Sequence, residues 1–127
     1  MHAAIYSKRE DVRAVVHSHN PATLALASVI RASGGSRMGL VTVECRAILG
    51  EHVPILGRLR AGSEELAERV SEALRGAEAV VLEDHGVVAV GRDLWEAVSR
   101  AEALEEEASY RLLRICAAGL TYRERLM

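Results

Sequence analysis

Phenylalanine is missing from this chain altogether, aromatic residues make up only 3% of its 127 positions, and lysine occurs once, at Lys8. Aromatics so few and so scattered offer no stacking platform for bases. No stripe or tract of basic residues tracks a phosphate backbone, so nucleic acid is not an expected partner. Cysteine is nearly as scarce. Cys45 and Cys116 lack the close spacing of a zinc knuckle, and a single pair of this kind reads as two reduced thiols in a cytoplasmic protein. No apolar run approaches the roughly 20 residues that cross a bilayer, and no signal-peptide core follows Met1. A membrane partner is not expected either.

What is present describes one packed domain over residues 1–127. Half of the residues are apolar, and the net charge of -2 is spread over interspersed acids and bases. The bases are almost all arginine, a bias that fits either a GC-rich genome or ion pairing at high temperature and says nothing about chemistry. Residues 1–9 read as the end of a helix that starts without a cap. Residues 12–18 form a strand, after which Asn20 as N-cap and Pro21 in the first turn predict a helix over 21–32. Residues 33–36, Ser-Gly-Gly-Ser, break the chain. Two short β-like runs follow, 40–43 and 53–56, separated by Gly50.

Ser63-Glu64-Glu65 opens a helix whose Leu66, Val70 and Leu74 recur at i, i+4 and i+8, and Gly76 ends it. The continuous apolar run 79–82 reads as a strand covered on both faces. After Glu83-Asp84-His85-Gly86, residues 87–90 read as its hairpin partner. Asp93 and Glu96 make a capping-box pattern for a last helix over 94–118, closed by Gly119. Its stripe of Ala97, Ala101, Leu104, Ala108, Leu112 and Ile115 is expected to face a core. The order of elements argues for an α/β sandwich around a mostly antiparallel sheet.

The chemistry concentrates where the first strand ends, in Val15-Val16-His17-Ser18-His19-Asn20-Pro21. Positions i and i+2 of a strand project from one side, so His17 and His19 stand together. Paired imidazoles are good ligands for zinc, although a metal-free polar strand end has the same pattern. His85, at the end of a second apolar run, is a candidate third ligand. Three protein ligands with an open position describe a catalytic metal site rather than a structural one.

These residues resemble the class II aldolase/adducin family, and within it the fuculose-phosphate aldolase branch. The matching blocks are Asp11-Val12-Arg13-Ala14-Val15-Val16-His17-Ser18-His19 with Pro21, then Gly62-Ser63-Glu64-Glu65-Leu66-Ala67, then Asp84-His85-Gly86. The resemblance implies a three-layer sandwich, a central mostly antiparallel sheet flanked by helices, represented here by the C-terminal two-thirds of the family domain. It implies a homotetramer with sites at subunit interfaces and one Zn²⁺ held by His17, His19 and His85. The reaction implied is aldol cleavage of a sugar phosphate such as fuculose 1-phosphate, the metal stabilising an enediolate. The family's catalytic glutamate is expected just before Met1, and its phosphate-binding segments further upstream. A tyrosine supplied by a neighbouring subunit in some members has no counterpart near Met38. Ribulose-phosphate 4-epimerases and methylthioribulose-phosphate dehydratases resemble the chain over the same blocks, as do non-catalytic adducin-type interaction domains.

Other polar residues have weaker claims. Glu83 and Asp84 are either acceptors for an imidazole N–H or solvated turn carboxylates. Residues 34–36 are either a phosphate cradle or, by default, a plain loop. His2 is expected in a helix near the site and His52 on the surface. Glu44 reads as a non-catalytic residue in a strand, Tyr6 and Tyr122 as core or surface residues, and Glu105-Glu106-Glu107 as a solvated helix face.

Overall fold

A computed structural model describes the backbone of residues 1–126 and the side chains through Gly119. The chain runs α1 (His2–Lys8), β1 (Ala14–Ser18), α2 (Pro21–Ala32), β2 (Arg37–Gly39), α3 (Val43–Leu49), β3 (His52–Leu56), α4 (Glu64–Ala73), β4 (Ala79–Leu82), β5 (Gly86–Gly91) and α5 (Leu94–Leu126). The five strands form one mixed sheet in the order β1-β5-β4-β3-β2. Only the β3–β4 pairing is parallel; the other three are antiparallel.

Side-chain alternation divides the interior into two cores, one on each face of this sheet. Ala79 and Val81 of β4, with Val87 and Ala89 of β5, pack beneath α2, α3 and α5. Their neighbours Val80, Leu82, Val88 and Val90 point the other way, against Ile5 of α1, Leu66 and Val70 of α4, and Leu74 at the end of α4. Both central strands are buried along their whole length. This is the expected three-layer α/β sandwich.

Three expectations need correction. Residues 40–43 are not a strand. The strand lies earlier, at Arg37–Gly39, and Val43 and Glu44 belong to the first turn of α3. Thr42 caps that helix, accepting from Cys45 N. Gly119 does not close α5, which continues to Leu126. A mid-helix glycine costs about 1 kcal/mol, which does not by itself stop a helix. The core-facing stripe ends at half-buried Leu112, because Ile115 is 58% exposed.

The run at residues 105–107 is also not a solvated face. Glu107 is 1% exposed and accepts from Val41 N (2.5 Å), Thr42 N (3.0 Å) and Thr42 Oγ1 (2.6 Å). Two residues earlier, Glu105 accepts from Ala22 N (3.1 Å), Thr23 N (2.7 Å) and Thr23 Oγ1 (2.9 Å). Each carboxylate satisfies orphan N–H donors at the start of another helix, where negative charge is also favoured by the helix dipole. Of the three glutamates, only Glu106 is solvated.

Replacing Glu107 with Ala strands these donors and is expected to cost about 2–3 kcal/mol by urea denaturation. Glu106→Ala should stay within about 0.5 kcal/mol of wild type. The thiols should differ as sharply. Burial first, and then the charges of Glu107 and Glu106, push Cys45 up to about 12, whereas Cys116 is exposed. Native protein treated with iodoacetamide at neutral pH should therefore be alkylated at Cys116 alone, as read by peptide mass spectrometry.

Candidate metal centre

Pairing of β1 with β5 sets Ser18 opposite Val87 and His17 opposite Val88. His17 is the fourth residue of β1, and His19 follows its last residue, Ser18. His85 comes from the turn joining β4 to β5, where Leu82 pairs with Gly86 and leaves three residues to reverse the chain. That turn closes with His85 N donating to Leu82 O at 3.0 Å, and it carries Asp84 in the left-handed region at φ 55°. Aspartate tolerates this conformation better than most side chains do.

The three imidazoles converge. Ring centroids lie 4.9 Å apart for His17 and His85, 5.2 Å for His17 and His19, and 6.1 Å for His19 and His85. Each ring offers a nitrogen within 4.8 Å of the other two, and no second such cluster occurs among the described residues. Gly86 makes this packing possible. A Cβ there would sit 2.5 Å from Ser18 O, 2.9 Å from His17 Cε1 and 3.1 Å from His19 Cδ2.

The surroundings of two of the rings bear on how they present a lone pair. His17 Nδ1 lies 3.0 Å from Val87 O, and a carbonyl can only accept. The proton is thus assigned to Nδ1, leaving the Nε2 lone pair free. Burial, and then the nearby His17 and His19, hold His85 below its ordinary pKa of 6.5, so it is unprotonated at neutral pH. Neutral imidazoles with free lone pairs are the form that binds a transition metal. The donor set therefore fits a divalent ion.

The carboxylates beside His85 do not orient it. Glu83 pairs with Arg31 at 3.3 Å, and Asp84 receives Arg58 Nε at 2.6 Å. Guanidinium groups from two other segments compete better for these acids than an imidazole N–H, so a backbone carbonyl takes the tautomer-fixing role for His17. The amides of Gly34 and Gly35 are spent within the chain. Gly34 N donates to Arg31 O and Gly35 N to Ile30 O, with Gly34 at φ 86°, so these amides end α2 in a Schellman motif. His2 and His52 are exposed and join no cluster, Tyr6 is 41% exposed, and the side chain of Tyr122 lies outside the described residues. Asn20 sits at the expected N-cap position but its side chain bridges Ser18 to Ala101 instead of capping, and the sequence gives no sign that Glu105 and Glu107 support helix starts. Only their positions beside helix starts in the folded chain reveal them.

Residues 1–112 match the family described as Class II Aldolase and Adducin N-terminal domain. The chain is 33% identical over 108 residues to an L-fuculose phosphate aldolase of Methanococcus maripaludis, a match spanning 85% of this chain and 56% of that protein. It is 31% identical over 107 residues to the 3-oxo-tetronate 4-phosphate decarboxylase of Haemophilus influenzae, covering 84% of this chain and 50% of that one. The crystal structure of L-fuculose-1-phosphate aldolase from Thermus thermophilus superposes with a TM-score of 0.82 at 32% identity. It covers 93% of this chain and 60% of that structure. The chain thus spans little more than half the length of these relatives.

Substituting Gly86 with Ala should force Ser18 and the His17 ring away from the turn. The expected cost is about 1–3 kcal/mol in denaturant unfolding, with displaced imidazole resonances for His17 and His19. Gly62→Ala would leave those resonances in place, because nothing lies near a Cβ at that position, though its φ of 75° makes it costly as well.

Proposed function

This chain belongs to the class II aldolase and adducin family, and on that premise we propose that it is a metal-dependent aldehyde-lyase acting on a sugar phosphate of the fuculose 1-phosphate kind. The observation that carries this reading is the convergence of His17, His19 and His85 on one point. These three rings would hold the ion, and three nitrogen donors with an open position suit zinc. A bound divalent cation supplies positive charge against the negative charge that develops on substrate oxygens as a carbon–carbon bond breaks.

The chain's own residues prepare that centre. Val87 O keeps the His17 proton on Nδ1, and burial keeps His85 neutral. Gly86 leaves room for the rings to approach. We read residues 1–127 as a single domain, since both cores share one sheet. A homotetramer is supported by the exposed apolar side chains of Val43, Leu94 and Trp95, which suit a subunit interface. A cytoplasmic location agrees with two unbridged thiols. No helix among the described residues is long and apolar enough to cross a membrane.

The decarboxylase relative favours one further reading, loss of carbon dioxide from a phosphorylated keto acid at the same centre. That reaction also builds negative charge next to a carbonyl, so the triad serves either chemistry. Retention of all three imidazoles speaks against a purely adducin-like interaction role.

Metal analysis of purified protein should find about one equivalent of zinc per chain, lost in His17→Ala and in His85→Ala while the circular dichroism spectrum persists. Supplied with the glutamate expected ahead of Met1, a restored-length protein should release an aldehyde and a triose phosphate from fuculose 1-phosphate in a zinc-dependent manner. Epimerised pentose phosphate from ribulose 5-phosphate, or carbon dioxide from a keto acid phosphate, would reassign the reaction. Protein that binds no divalent metal would remove the lyase reading altogether.

A further inference from the structure

Each ring of the triad is held differently. His17 is fixed by the carbonyl of Val87, and His85 rides on a tight turn. His19 is exposed, and its ring makes no hydrogen bond among the described residues. It also lies beyond the last ladder pair of β1, which ends at Ser18. Its ring touches those of His17 and His85, but neither a ladder pair nor a hydrogen bond fixes its direction.

The following residue supplies the restraint. Asn20 is 8% exposed; its Oδ1 accepts from Ser18 Oγ at 2.7 Å and its Nδ2 donates to Ala101 O on α5 at 2.9 Å. The two chain neighbours of His19 are thereby joined across it, and one of them is bolted to the long helix. Asparagine is favoured before a helix because its side chain usually caps the first turn. Here it makes no such cap, and Glu105, one turn beyond Ala101, accepts from the α2 amides instead. The Asn20 side chain is left free to act as a bridge.

We propose that Asn20 is the positioning residue of His19, tying the third imidazole to α5 so that it stays aimed at the other two. This rests on the reading of the triad as a metal centre. Partners that orient a metal ligand typically govern affinity by about 10–100-fold.

The test is competition titration of Zn²⁺ against a chromophoric chelator, using the whole chain. Asn20→Ala should weaken affinity by about 10–100-fold, and the milder Ser18→Ala should move it in the same direction by less. Glu107→Ala, which loosens the fold at α3, should leave affinity unchanged. In metal-free protein, proton Overhauser contacts between His19 and His85 should vanish in Asn20→Ala, while those between His17 and His85 persist. Unchanged affinity in both variants, or an intact His19–His85 contact in Asn20→Ala, overturns the proposal. If Asn20→Ala fails to fold, Ser18→Ala decides the question by the same two readouts. Wild-type protein that binds no zinc, yet loses the His19 contact on substitution, overturns the metal-centre reading and upholds the positioning role.

Discussion

The antiparallel register between β1 and β5 is the constraint on which the rest depends. Because strand side chains alternate, a slip of β1 by one residue would turn His17 to the opposite face and move Val15 and Val16 each into the other core. Burial enforces the register. Val87 and Ala89 must face one core while Val88 and Val90 face the other, and neither set can be solvated cheaply. The same pairing brings Ser18 and the His17 ring against Gly86, where any side chain would intrude. Stability of the sheet and geometry of the site are therefore one property.

Helix α5 is the second organising element, through polar rather than apolar contacts. Along one stretch of it, Ala101 O holds Asn20, Glu105 holds the start of α2, and Glu107 holds the start of α3. Buried polar groups are costly unless fully partnered, and these are. The helix acts as a strut that sets where two others begin, and one of those beginnings adjoins His19.

At the far end of β1 and β5 the abundance of arginine finds its use. Arg9 pairs with Asp11 at 2.7 Å and with Glu78 at 3.2 Å; Arg100 reaches Glu78 at 3.1 Å and Glu96 at 3.4 Å. Single exposed pairs of this kind contribute little, but a connected set with half-buried members orders the chain entering β1, β4 and α5 together. That end gathers the ion pairs, and the opposite end gathers the three imidazoles.

The amino-acid sequence by itself determined the elements whose signals are local. The α2 boundaries follow from Pro21 and the Ser-Gly-Gly break, α4 from Ser63 and its apolar period, and the β4–β5 hairpin from two apolar runs around His85. It also determined the three imidazoles as candidates, since H-x-H at a strand end places two rings on one side. Tertiary structure alone decided the region 37–49, where a run with strand propensity becomes the entry to a helix because Glu107, 65 residues away from Thr42, satisfies its amides. It alone decided that two of three consecutive glutamates are caps, that Glu83 and Asp84 belong to arginines, and that Asn20 bridges instead of capping. The physical reason is common to all of these. Hydrogen bonding and apolar periodicity within a few residues are written in local order, whereas the partner of a buried charge or amide comes from a distant segment. Its identity exists only once the sheet and α5 have brought that segment near.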